Sequence, residues 1–350
     1  MKRLFIAVLV MLVAASGLFA GGAPEEGIRI GISKIVAHPA LDSVEQGIQD
    51  ELLDLGYEDV TYDLQSANGD LTTAAQIAAK FKADRVDVAV GIATPTSQAL
   101  VSSIDEIPVV FSAVTDPVAA ELVPSLAGGG GNVTGYSDLT PVREQIELLA
   151  RLADVETIGH VYSSGEANAV VLAEMAQEAA AELGIEFVTA TVANSAEVRQ
   201  AAQSIVDRVD VFYMSTDNTV VSALSTLTDV AMGAGVPVVT ADPSSAETQD
   251  VVAAYGFDYY TMGRATGAIV ARILEGEDPD EIPVQYLTEA EDLILHVNVD
   301  VAEQLGIELS DAVLESANRL DENGQLVEQD PPQTPGVRGV SSVKRPGRGA

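Results

Sequence analysis

Small hydroxyl, amide and carboxylate residues recur in this chain just after short apolar runs. They are Ser33 and His38, Asn68, Thr94-Pro95-Thr96-Ser97, and Thr115-Asp116, followed by Ser163, Ser164, Glu166 and Asn168, then Asn194, Thr216-Asp217-Asn218 and Asp242. Hydroxyls and free N–H groups at a helix start favour a carboxylate, as at Thr94–Ser97 and around Thr115. Acidic groups opposite, such as Glu166, Asp217 or Asp242, favour an ammonium. A zwitterionic amino acid suits both. The Ser, Thr, Asp and Asn among them are also the usual helix caps, so the weight lies on two sets of such residues rather than on any one.

Catalytic chemistry finds little support. Of the three histidines, His160 and His296 fall inside apolar runs that read as strands, and only His38 lies in a polar loop. No HExxH, Walker loop or GxSxG occurs. Gly128–Gly135 does not fit GxGxxG and precedes a strand instead of following one. No pair of acids is singled out for glycoside chemistry. The chain has no cysteine, which excludes thiol catalysis, Cys-based metal sites, disulfides and a lipid-modified cysteine. No cofactor and no metal are expected.

The elements that must position these residues are stated twice. Ala74–Leu100 with Ile107–Pro117 is answered by Ala201–Leu224 with Val236–Pro243, and Arg85-Val86-Asp87-Val88 matches Arg208-Val209-Asp210-Val211. The period of roughly 125 residues is too long for a solenoid and about right for a domain. Each copy reads as helix, apolar strand, polar loop, helix, strand. Strands near 28–32, 60–64, 86–90, 109–111 and 133–136 alternate with helices near 41–55, 71–81 and from 95. A second series of strands follows near 157–162, 187–192, 209–214, 236–239 and 251–255, with helices at 141–152, 167–183, 196–206 and 220–234. Such alternation predicts parallel sheets covered on both faces, with ligands beyond the carboxyl ends of the strands. The last third, a helix near 260–274, strands near 284–287 and 293–297 and a helix from 299, must complete both sheets. The chain therefore crosses between the lobes more than once.

Composition bounds the rest. The 350 residues carry 53 acidic and 18 basic side chains, a net charge of −35. The acids are spread along the chain, which reads as a heavily hydrated surface and repels nucleic acid. Met1–Ala20 has a Lys2-Arg3 start, an apolar stretch and a Leu18-Phe19-Ala20 cleavage site. It reads as a secretory signal, the alternative being an uncleaved anchor. A flexible spacer follows over 21–27. From Pro331 the chain has no acid and no apolar period, which reads as a disordered tail.

Taken in order, Ile35–Asp42, Asn68-Gly69-Asp70, Gly91–Pro95, Val114–Pro117, Gly131–Gly135, Ser164–Asn168, Thr216–Val220 and Gly256–Tyr260 resemble the substrate-binding proteins of ABC importers, in the tryptophan/tyrosine-binding (TrpX-like) family. The resemblance covers about Ile28 to Ile307. It implies an α/β type I periplasmic-binding-protein fold, with two Rossmann-like lobes, a hinge of three crossovers and a cleft between them. The lobes implied are 28–138, completed by about 258–290, and 139–257, completed by about 291–318, with a tail over 319–350. Carried over by position, Thr94, Thr115, Asp116, Glu166, Asn168, Asp217, Asn218 and Asp242 line the cleft, joined by His38 and Ser137. The resemblance further implies a monomer, periplasmic or secreted, that delivers an aromatic amino acid to a membrane permease. The N-lobe loops would hold the carboxylate and the C-lobe acids the ammonium. Tyr136, Tyr162 and Phe257 would supply the walls. Asp217→Ala should then abolish binding and leave folding intact. A sensory receptor on the same lobes is the alternative, and a hydrolase a more distant one. The chain departs from the family in having no anchoring cysteine and in its basic tail.

Overall fold

The computed structural model describes residues 27–329, apart from 129, 153–154 and 288–291. The signal-like segment 1–20 and the tail from 331 lie outside the described residues. Two sheets organise the chain. The first lobe begins with β1 (Arg29–Lys34), α1 (Pro39–Asp54), β2 (Thr61–Ser66), α2 (Leu71–Asp84), β3 (Val88–Ile92), α3 (Thr94–Ser103), β4 (Val109–Val114) and β5 (Val133–Ser137). β3 and β4, VAVGI and VVFSAV, are buried throughout. Continuous apolar runs of this kind belong in the middle of a parallel sheet with both faces covered. Helix α2, between β2 and β3, starts where a side chain can cap, Asp70 accepting from the Thr73 N–H at 2.6 Å, and ends on Arg85 in the left-handed region, φ 52°.

The chain then builds the second lobe with α4 (Val142–Leu152), β6 (Thr157–Ser163), α5 (Ala167–Leu183), β7 (Glu186–Val192), α6 (Val198–Ile205) and β8 (Val211–Met214). Next come α7 (Asn218–Val221), α8 (Leu224–Ala234), β9 (Val238–Thr240), α9 (Pro243–Ala246) and β10 (Ala253–Phe257). The single helix expected over 220–234 is broken at Ser222-Ala223: Asp217 caps the start of a first short turn, which ends at Ser222 with its hydroxyl donating to the Thr219 carbonyl at 2.7 Å, before α8 begins.

After β10 the chain returns to the first lobe as α10 (Tyr259–Leu274) and β11 (Gln285–Tyr286). It comes back to the second as β12 (Leu293–Asn298), α11 (Val299–Leu305), α12 (Asp311–Ser316), β13 (Arg319–Glu322) and β14 (Gln325–Glu328). The passages from β5 to α4, β10 to α10 and β11 to β12 are the three crossovers. α10 lies so close to α1 that a Cβ on Gly47 would stand 2.4 Å from the Tyr260 carbonyl oxygen, and one on Gly263 2.4 Å from that of Val44. The glycines allow the returning helix to seal the first lobe, backbone against backbone.

The first sheet runs β11-β5-β4-β3-β1-β2 and is parallel throughout. The second runs β14-β13-β12-β10-β9-β8-β6-β7 and is mixed, which corrects the expectation of two parallel sheets. β12 pairs antiparallel with β10. It enters the second lobe from the hinge, at the end where the other strands finish, and can only run away from it. A second correction concerns the tail placed at 319–350. Residues 319–328 form an antiparallel hairpin on the edge of the second sheet, turning on Asn323 and Gly324, both at positive φ (55° and 69°). An Asn-Gly turn is the strongest short hairpin signal, but the flanking RLDE and QLVE hardly show the apolar alternation that would have revealed it. Among the described residues no helix is long and apolar enough to cross a membrane.

Candidate functional site

The carboxyl ends of β1–β10 point to the hinge, and a cavity of about 40 Å³ lies there between the lobes. The first lobe contributes Val36 and His38 after β1, Ala40 and Leu41 at the start of α1, Ala93 before α3, and Ala113 and Thr115 at the end of β4. The crossovers contribute Asp138 and Tyr259. The second lobe contributes Asn168, Thr216, Asp217, Asn218, Val221 and Asp242. The wall is aliphatic on the first-lobe side and polar on the other, and it contains three carboxylates with no Lys or Arg.

The three carboxylates are held differently. Asp217, fully buried, accepts from the Ser163 N–H at 2.5 Å and the Val220 N–H at 3.0 Å, tying the end of β6 to α7. Burial and the neighbouring Glu166 push its pKa up. Asp242 caps α9 and accepts from the Ser244 N–H and from the Ser244 and Ser245 hydroxyls, at 2.8–2.9 Å. Asp138 is buried at the first crossover and accepts from Tyr259 Oη at 3.0 Å and Thr115 Oγ1 at 3.3 Å. Burial pushes its carboxyl up to about 6. Tyr259 is buried beside it and is held well above the usual phenol value by that burial.

His38 bridges the lobes. Its Nδ1 lies 3.8 Å from Asp242 Oδ2 across the cleft and accepts from the Ala40 N–H at 3.3 Å, capping α1. Burial lowers its pKa against the pull of Asp242, so the neutral imidazole that this cap needs is the favoured form.

Two further features mark the cavity. Buried side-chain atoms without a partner include Asn168 Oδ1 and Thr216 Oγ1 on its wall, and Ser33 Oγ, Thr94 Oγ1 and Ser215 Oγ at or just after strand ends. Buried polar groups are normally satisfied, and on the cavity wall Asn168 Oδ1 and Thr216 Oγ1 are open to a partner from a guest. The backbone is also strained there. Ala93 has φ 77° and ψ 158° and Ala113 has φ 53°, conformations ordinarily left to glycine. The turn at Ala93 leaves the start of α3 without a side-chain cap. The start of α5 at Glu166 is uncapped as well.

Of the residues that the sequence nominates, His38, Thr115, Asn168, Asp217, Asn218 and Asp242 are placed on the cavity wall. Four stand outside it. Thr94 is the buried first residue of α3. Asp116 accepts from the Val118 and Ala119 N–H groups at 3.0 and 2.9 Å. Ser137 Oγ donates to the Thr115 carbonyl at 2.9 Å. Glu166 accepts from Asn218 Nδ2 at 2.7 Å and from the Thr219 N–H and hydroxyl, and so orients the residues that do reach the cavity. The aromatic walls are corrected. Tyr136 and Phe257 pack in the core of the first lobe and Tyr162 stacks on His160, whereas the tyrosine on the wall is Tyr259. Sequence reasoning did not nominate Asp138 or Tyr259. Asp138 follows β5 just as Asp116 follows β4, and the strand-end rule extended to the crossovers would have found it. Among the described residues no three His, Asp or Glu side chains are grouped to hold a metal.

Residues 29–320 match the family described as ABC transporter substrate binding protein. The chain is 35% identical over 300 residues to a tyrosine-binding protein of Clostridioides difficile, covering 85% of this chain and 86% of that one. Two solved structures are similar. One is an ABC domain from Streptococcus pneumoniae in complex with L-Trp (32% identity, TM-score 0.81, covering 84% of this chain and 99% of that one). The other is a ligand-free, open substrate-binding protein with adhesive properties from Clostridium difficile (35% identity, TM-score 0.62, covering 81% and 96%).

Proposed function

This chain belongs to the family of ABC transporter substrate-binding proteins, and we propose that the solute it captures is an aromatic amino acid, delivered from outside the cytoplasmic membrane to a membrane permease. The observation that carries this reading is the cavity between the lobes, with three carboxylates and no Lys or Arg on its wall and with Asn168 Oδ1 and Thr216 Oγ1 unpartnered there. A cationic ammonium suits such a wall. The names of two relatives, one tyrosine-binding and one solved with L-Trp, support the aromatic class. At similar identity, the chain superposes better on the L-Trp complex than on the ligand-free open structure, which supports a closed arrangement of the lobes here.

In the proposed pose the ammonium lies on Asp138. That carboxylate accepts from hydroxyls, which can yield, whereas Asp217 holds two backbone N–H groups and Asp242 one backbone N–H and two serine hydroxyls of α9. The carboxylate of the guest faces the uncapped start of α3, beside Thr115. The side chain lies between Val36 and Leu41 of the first lobe and Val221 of the second. Closing the lobes removes these surfaces from water and presents the closed form to the permease. The chemistry is capture and release, with no bond made or broken.

A thermal-shift panel of the twenty amino acids, nucleosides and sugars tests the reading. A ligand at about 100 times its dissociation constant adds roughly 2.7 kcal/mol of stability. A shift confined to aromatic amino acids is the expected result. A shift with sugars or nucleosides instead would overturn the ligand class and leave the family standing.

A further inference from the structure

Asn168 carries an acceptor that the protein itself does not use. The residue is 4% exposed, lines the cavity at the start of α5 and donates from Nδ2 to the Thr216 carbonyl at 2.9 Å, while its Oδ1 has no partner. The amide cannot be turned the other way. A carbonyl only accepts, so the NH₂ group must face Thr216 and the oxygen is left as an acceptor. Next to it, Thr216 Oγ1 is also unpartnered. A buried acceptor left unmet is costly, and the Asn168 amide oxygen on the cavity wall calls for a donor from the guest.

Building on the aromatic amino-acid reading, we propose that Asn168 Oδ1, with the Thr216 hydroxyl, receives the polar hydrogen of the guest's ring. Ring donors exist on an indole N–H and a phenol O–H and are absent from a phenyl ring. The site therefore selects tryptophan and tyrosine over phenylalanine. The ammonium does not compete for this position, because the carboxylate with replaceable partners, Asp138, lies at the crossover while Asn168 belongs to the second-lobe wall. Asn168 is thus a specificity-determining residue whose effect depends on what the ring carries.

Titration of the wild-type chain with L-tyrosine, L-tryptophan and L-phenylalanine tests this directly. Phenylalanine should bind on the order of 10- to 100-fold more weakly, the loss expected when a buried acceptor is left unmet. In Asn168→Leu, tyrosine and tryptophan should weaken toward phenylalanine, whose own affinity changes little, and the gap should close. Thr216→Val, at a half-exposed position, should narrow the gap in the same direction and provides a variant outside the helix start. Equal affinity of all three ligands for the wild type, or an equal loss of all three in Asn168→Leu, would overturn the assignment. Failure of all three to bind the folded wild type would instead overturn the aromatic reading on which it rests.

Discussion

Tyr259 Oη donates to Asp138 Oδ2 at 3.0 Å, joining the helix that opens the second crossover to the residue that opens the first. Ligand and hinge therefore meet at one carboxylate. Asp138 is held up to about 6 by burial, against a usual value of 3.8 and despite the hydrogen bonds from Tyr259 and Thr115. The stability this group contributes to the empty protein is fully present below 3.8 and is lost as the pH rises through about 6. Binding has the opposite sense, because an ammonium selects the ionised form. Affinity for the amino acid should be level above a pH of about 6 and fall below it, by up to tenfold per unit. Calorimetric titration across that range checks the slope. Asp138→Asn should weaken binding and flatten the slope, which separates it from titration of His38 and Asp217 on the same wall. A wild-type affinity independent of pH would contradict the assignment.

Asp217→Ala should destabilise the fold as well as disturb the site. The carboxylate accepts from two backbone N–H groups at the ends of β6 and α7, and both lose their partner in the variant. A cost of about 1–3 kcal/mol is expected, read from the urea midpoint. This departs from the expectation drawn from the sequence, in which Asp217 served the ligand alone. An unchanged midpoint would restore that simpler role.

Ala93→Gly should stabilise the empty protein. At φ 77° and ψ 158° the alanine occupies a region open essentially to glycine. Relief of about 1–3 kcal/mol is partly offset by roughly 0.5–1 kcal/mol of extra chain entropy in the unfolded glycine variant. A net rise in the melting temperature is the expected outcome. A fall would mean that the methyl, which faces the cavity, packs well enough to outweigh the strain.

His160 sets a separate acid limit. It is fully buried among the rings of Tyr162, Phe187 and Tyr213, with Nδ1 donating to the Tyr213 carbonyl at 2.8 Å and Nε2 unpartnered. Burial lowers its pKa from 6.5 to about 4. The folded state therefore keeps the ring neutral while the unfolded chain takes up a proton. Its stabilising contribution is complete above 6.5 and is lost as the pH falls to about 4, a change of about 3 kcal/mol. Asp138 shifts stability the other way over much of the same range, so the wild-type curve alone conceals both. The difference between wild type and His160→Phe isolates the histidine, and it should shift steadily against the wild type as the pH falls from 6.5 to about 4. A constant difference would show that the ring is not kept neutral by the fold.

Much of the architecture was legible because helix starts and apolar runs leave local marks. Asp70, Asp242 and Asn298 cap helices through their own side chains, and the VAVGI and VVFSAV runs could only be buried strands. What escaped depends on contacts between distant segments. Asp138 and Tyr259 meet only because two crossovers lie side by side, and no local spacing encodes that. The antiparallel entry of β12 follows from the side on which the chain re-enters the lobe. Glu166 and Asn218 both looked like ligand residues. Only the folded geometry shows Glu166 spending its oxygens on Asn218 and Thr219. The polar residues at the strand ends thus marked where the site is, while their division into wall and support is set by tertiary hydrogen bonding.

The most direct test of the account is a crystal structure of the chain grown with L-tyrosine or L-tryptophan. The account predicts one molecule enclosed between the lobes, its ammonium on Asp138 and its ring against Leu41, Val36 and Val221. A ligand bound elsewhere, or one whose ammonium lies on Asp217 or Asp242 with Asp138 still paired only to Tyr259 and Thr115, would contradict it.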